Sequence, residues 1–105
     1  MFAFDHWADW LKSKAAEWSC ESLTCTYGDT RSAPECASNP AFSVQVRSPE
    51  RIGRLSFWRN GMCDYEVMET SSRDFIANEA MLEANDQTAP VLVAQFWSFF
   101  AQPRR

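Results

Sequence analysis

The chain has 105 residues, 46% of them apolar, with five Trp, eight Phe and a formal charge of −4. That length supports one domain around one core, and the large aromatic side chains supply much of what fills it. The acidic balance speaks against nucleic acid or an anionic membrane as partner, and the apolar content speaks against extended disorder.

Phe4 to Trp18 reads as a helix. Phe4, Trp7, Leu11, Ala15 and Trp18 recur at spacings of three and four, and Asp5 and Asp9 precede Lys12 and Lys14 in the order that suits the helix dipole. Trp10 lies beside the stripe, as edge packing or as a binding residue. Asp5 and Asp9 also interrupt the apolar core that a signal peptide needs, and no run approaches the ~18 apolar residues of a membrane span. The expected location is the cytoplasm. Ser22 to Tyr27 is expected to form the first strand, with Leu23, Cys25 and Tyr27 on one side. Gly28 to Pro40 carries two prolines and no period, so it reads as a loop, long enough to be either functional or simply mobile. Ala41 to Arg47 alternates as a second strand with Phe42, Val44 and Val46 inward, and Pro49 stops it.

Ile52 to Glu69 reads as two strands joined by a tight turn. Ile52, Leu55, Phe57, Cys63, Tyr65 and Val67 form the apolar side, and Arg54, Ser56, Asp64 and Glu66 the polar side. A two-residue Asn60-Gly61 turn sets Leu55 against Glu66 and Phe57 against Asp64, mixing core residues with carboxylates. A three-residue loop, Arg59-Asn60-Gly61, with Gly61 left-handed, instead pairs Leu55 with Tyr65, Phe57 with Cys63, Ser56 with Asp64 and Arg54 with Glu66. A one-residue slip inverts the faces of a strand, so the three-residue loop is expected.

Asp74 to Ala84 is ambiguous. Its Ala, Glu, Met and Leu favour a helix, and a further antiparallel strand is the alternative. Asp86 to Gln102 reads as a closing helix, capped by Asp86 or Thr88, with Pro90 in its first turn. Leu92, Phe96, Phe99 and Phe100 make its stripe, widened by Val93 and Trp97, and Pro103-Arg104-Arg105 is a tail. The expected fold class is α+β: an N-terminal helix, an antiparallel sheet of about four to five strands and a C-terminal helix, with both helices on one face.

Motifs for catalysis are absent. There is no Gly-rich phosphate loop, no H-E-x-x-H and no G-x-S-x-G. The four cysteines (Cys20, Cys25, Cys36, Cys63) contain no C-x-x-C, and His6 is the single histidine, so a zinc site has little support and free thiols are expected. A nucleophilic Cys with His6 is outweighed by packed, inert thiols. Asp64 and Glu66 read as a solvated face rather than an acid–base pair. No cofactor, metal or catalytic residue is expected. Charge is more informative. Asp64 to Asp86 holds seven acidic residues against Arg73 alone, while Arg47 to Arg59 holds four arginines against Glu50. This is either ordinary surface, partly neutralised by an Arg54–Glu66 pair, or a polarised face that steers a partner. Trp58 and Met62 fall on the polar side, so Trp58 is either buried by a covering element or exposed as an interface anchor. Arg54, Trp58, Met62, Asp64, Glu66 and Glu69 are the candidate partner-binding residues.

The hairpin resembles the TriTu family of bacterial immunity proteins. The resemblance is carried by Ile52-Gly53-Arg54-Leu55, Trp58, Gly61, Cys63-Asp64 and Glu66-Val67, with Asn39-Pro40 before the second strand. It implies a cytoplasmic antitoxin that binds a TreTu-type Rhs ADP-ribosyltransferase toxin, delivered by type VI secretion against elongation factor Tu. It also implies that Asp74 to Ala80 is a strand, and it adds a cognate toxin domain as the partner of an otherwise monomeric protein. A non-enzymatic adaptor or homodimeric domain, and a hydrolase that reverses the modification, are the competing readings.

Overall fold

The computed structural model describes residues 2–33 and 38–101. Helix α1 (Phe4–Trp18) leads into five strands, β1 (Thr24–Asp29), β2 (Ala41–Arg47), β3 (Arg51–Trp58), β4 (Met62–Glu69) and β5 (Phe75–Glu83), and helix α2 (Ala89–Trp97) follows. The strands form one antiparallel meander in the order β1-β2-β3-β4-β5.

The β3–β4 turn takes the three-residue form. Gly61 has φ +92°, and its N–H donates to the Trp58 carbonyl at 2.9 Å. Leu55 pairs with Tyr65, Phe57 with Cys63, Ser56 with Asp64 and Arg54 with Glu66, as the polarity of the two strands requires. Asn60 completes the turn: its Oδ1 accepts from the Met62 N–H, and its own N–H donates to Asn39 Oδ1. The neighbouring Arg59 N–H donates to the Pro40 carbonyl, so the chain entering β2 is tied to the same turn.

This register sends Leu55, Phe57, Cys63, Tyr65 and Val67 to one side, with Phe42, Val44 and Val46 of β2 beside them. Both helices cover that side. Phe4, Ala8, Leu11 and Ala15 of α1 and Leu92, Val93 and Phe96 of α2 belong to the same buried cluster. Each fully buried Leu or Phe contributes roughly 1.5–3 kcal/mol. Phe42 sits at the aromatic centre, with ring centroids 5.2 Å from both Phe4 and Phe57. Trp18 stacks on Trp97 at 4.2 Å and joins the ends of the two helices. On α1 the small Ala8, rather than Trp7, lies fully inward, where a bulky side chain would hold the helix off the sheet. Trp10 packs against the core and meets Trp7 edge-on at 5.2 Å, consistent with edge packing.

Three expectations need correction, and the open choice over Asp74 to Ala84 resolves to the strand that the family resemblance implies. Ile52 is not a core residue: it faces Met68 on the uncovered side, and Gly53 occupies the inward position opposite Val67. Glycine is required there because a Cβ would lie 2.9 Å from the Phe100 ring and 3.0 Å from both the Glu66 carbonyl and the Phe96 ring. The helix propensity of Asp74 to Ala84 does not prevail, because β5 pairs along β4 over Phe75–Glu83. The closing helix is shorter than expected, starting at Ala89 and tightening after Trp97 into bonds such as Phe99 N–H to the Phe96 carbonyl. Neither Asp86 nor Thr88 caps it through a side chain in the expected way. Asn85 Oδ1 instead accepts from Gln87 and Thr88 N–H, while Thr88 Oγ1 accepts from Asn85 N–H. Pro90 does sit in the first turn. Gln102 and the tail Pro103-Arg104-Arg105 lie outside the described residues.

Asp86 serves α1 instead. Its Oδ1 accepts from the Ala3 N–H at 2.7 Å and from Trp7 Nε1 at 2.8 Å, and these bonds, the backbone one first, hold its carboxyl below the usual range. At the other end of α1, the Ser19 hydroxyl donates to the Ala15 carbonyl and accepts from the Cys25 N–H, coupling helix to β1.

Two outcomes follow. Gly53→Ala forces a methyl against a backbone carbonyl and two packed rings, and urea unfolding should show a loss of about 1–3 kcal/mol. For Asp86, a depressed carboxyl contributes stability that is present above the unfolded-state pKa of about 3.9 and lost as pH falls through the lower folded value. Urea melts followed by Trp fluorescence should find Asp86→Asn less stable than the parent at neutral pH. That difference should vanish as the solution is acidified through the folded-state value.

Candidate functional site

The side of the sheet away from the helices carries Gln45 of β2, Ile52, Arg54, Ser56 and Trp58 of β3, Met62, Asp64, Glu66 and Met68 of β4, and Asn78 of β5. Two adjoining depressions mark it, of about 370 and 240 Å³, and both are lined by Arg54 and Glu66. The larger runs over Gln45, Ile52, Met68 and Phe75, with Gly53 in its lining. The smaller includes Ser56, Trp58, Asp64 and Asn78.

Five of the six candidate binding residues are therefore together on one face: Arg54, Trp58, Met62, Asp64 and Glu66. Glu69 is not with them. It ends β4 in the phase of Tyr65 and Val67, opposite Arg51, whose Nη1 donates to the Phe99 carbonyl on the helix side. Trp58 and Met62 bracket the turn and are both half-buried. Ile52, Gln45, Met68 and Phe75 complete the surface and were not among the candidates. Ile52 shares the odd-even phase of Arg54, and that phase was a sufficient signal. Gln45 and Phe75 could be placed only once the β2–β3 and β4–β5 registers were known.

The charges are less neutralised than the cross-strand pairing suggests. Arg54 and Glu66 are register partners, yet no ion pair joins them among the described residues. Arg54 Nη2 reaches Gln45 Oε1 at 3.5 Å instead. Asp64 uses Oδ1 to accept from the Met81 N–H at 3.0 Å, a bond that replaces a ladder contact where β5 bulges. Of the arginine-rich stretch, Arg51 is drawn to the turn after α2 and Arg59 lies over the Phe4 ring at 5.3 Å. The open face thus presents Asp64 and Glu66 against Arg54 and, opposite Ile52, the exposed Arg47, and Glu83 stands opposite Met62 at its margin.

A second charged cluster lies on the helix side. Arg31 contacts Asp5, Asp9 and Asp29 at 3.1–3.2 Å. Burial disfavours the Asp29 charge, but hydrogen bonds from Tyr27 Oη and the Arg31 N–H, with the guanidinium charge, hold its carboxyl low overall. Asp5 and Asp9 are mostly exposed, so each of those pairs is worth well under ~1 kcal/mol. The cluster fastens the segment after β1 to α1. Pro34–Ala37, including Cys36, lies outside the described residues.

The other cysteines differ sharply. Cys63 is fully buried, and burial followed by the Asp64 charge pushes its thiol up to about 12. Burial also raises Cys25, whereas Cys20 is exposed and lowered by its hydrogen bond with Ser22. His6 is exposed, with its ring edge-on to Trp7. Among the described residues, no three His, Cys, Asp or Glu side chains gather as metal ligands. Alkylation at mildly basic pH followed by peptide mass spectrometry should modify Cys20 in the native protein and Cys63 only after denaturant is added.

This is a small α+β protein that keeps both helices on one side of a meander and displays a charged, aromatic sheet face on the other. Residues 5–99, which span nearly all of both helices and all five strands, match the family described as Immunity protein TriTu, and the chain belongs to that family of immunity proteins. No curated protein and no solved structure matches it.

Proposed function

We propose that this protein is a stoichiometric antitoxin that binds a cognate ADP-ribosyltransferase toxin directed at elongation factor Tu and covers its active site or substrate surface. Membership of an immunity-protein family supports a toxin as the partner. The observation that carries the contact surface is the open sheet face, where the Glu66 carboxylate has no cation pairing it among the described residues and the half-buried Trp58 lines the same depression. An enzyme that binds an anionic dinucleotide needs basic groups in its cleft, and an acidic, aromatic-bearing face is complementary to such a cleft. Inhibition by occlusion requires no catalytic group in the antitoxin. A toxin of the Rhs type delivered by type VI secretion acts inside the recipient cell, so the antitoxin acts in the cytoplasm, as a monomer until the toxin arrives.

The test is co-expression and pull-down with a candidate cognate ADP-ribosyltransferase toxin domain, followed by titration of toxin activity. Occlusion predicts complete inhibition at equimolar protein, whereas sustained protection at substoichiometric amounts indicates enzymatic reversal. Glu66→Lys should slow association by roughly tenfold at low salt, with the difference shrinking as salt is added. Unchanged association would remove the open face from the interface.

A further inference from the structure

Strand β5 is the last of the meander, hydrogen-bonded on one side to β4 and with no strand on its other edge among the described residues. Among the described residues the large apolar side chains left exposed are Phe75 (51%), Ile76 (39%), Met81 (77%) and Val91 (52%), and three of these four lie on β5. They stand where the strand departs from regular pairing. One register shift falls between Val67 and Met68, opposite Phe75–Ala77, and the other between Cys63 and Tyr65, opposite Glu79–Leu82. Met81 has a left-handed backbone (φ 58°), and the Asp64 carboxylate accepts its N–H. The bulges thus turn apolar side chains outward instead of leaving them over the core.

We propose that the β5 edge supplies the apolar anchors of the toxin interface, with Met81 and Phe75 entering apolar recesses beside a basic surface of the toxin. This rests on the antitoxin reading and adds to it the residues that hold the partner. Three features indicate that occupant. Asp74, Glu79 and Glu83 line the same segment with no Lys or Arg between them, so the complementary surface is basic. Phe75 also lines the larger depression, which makes the edge continuous with the open face. A second copy fits poorly: antiparallel self-pairing about the centre of β5 sets Glu79 against Glu79, and two bulges interrupt the ladder such pairing needs.

The experiment titrates the cognate toxin domain with the parent protein, Met81→Ser, Phe75→Ser and Val91→Ser, after thermal melts confirm that all are folded. Met81→Ser and Phe75→Ser should each raise Kd by roughly tenfold or more, while Val91→Ser, on α2, stays within about twofold of the parent. Equal Kd for all four proteins would overturn the inference while leaving the antitoxin reading standing. Failure of the parent itself to bind would overturn both. Sedimentation of the free protein should show a monomer, and a dimer dispersed by Met81→Ser would assign the edge to a second copy and overturn it.

Discussion

The register of the β3–β4 hairpin is the constraint on which the remaining structure depends. A residue in the left-handed region at position 61 lets the loop take three residues, and glycine adopts that conformation without steric cost. One residue fewer in the turn would set Asp64 opposite Phe57 and Glu66 opposite Leu55, so that keeping the β3 core residues against the helices would bring both carboxylates in with them. Side chains in a strand alternate strictly, so a slip turns every core residue of one strand outward at once. The strands on either side inherit this phase through β2–β3 and β4–β5 pairing.

Separating the faces has consequences for both layers. On the helix side, α2 closes directly over Gly53, with the Phe96 and Phe100 rings filling the space a side chain would take. On the other side, polar groups are relieved of any packing role. Arg51 and Arg59 are taken up by the helix layer and Asp86 by the N-terminus of α1, which leaves Asp64, Glu66, Arg54 and Arg47 to set the character of the open face. Asp64 belongs to both parts, facing the depression while fastening the bulge that turns Met81 outward. The surface best suited to a partner is thus a by-product of the same alternation that builds the core.

The parts of the fold legible in the sequence are those governed by local periodicity. Helix α1 and strand β2 have the bounds their patterns indicate, and the hairpin register follows from asking which turn keeps carboxylates out of the core. Strand β5 was not legible from its residues because its phase changes twice in nine residues. Ala77 faces with Val67, Leu82 faces with Cys63, and Phe75 lies on the opposite side with Met68. No continuous period survives those shifts, and good helix formers supply a misleading local preference that pairing with β4 overrides. The family resemblance, by contrast, implied a strand. The same bulges hid Met81 and Phe75 from the candidate surface. Asp86 was misplaced for a different reason: its partners Ala3 and Trp7 are distant in the chain, and an acidic residue just before a helix has an obvious local role that it does not take.

In the proposed arrangement the helices serve the core and the opposite face, with its β5 edge, meets the partner. Hydrogen–deuterium exchange of the free protein and of its complex with the toxin domain tests this most directly. Toxin binding should slow exchange along Phe75–Glu83 and in the β3–β4 turn, with α1 and α2 unchanged. Slowing confined to α1 or α2, with β5 exchanging as in the free protein, would contradict it.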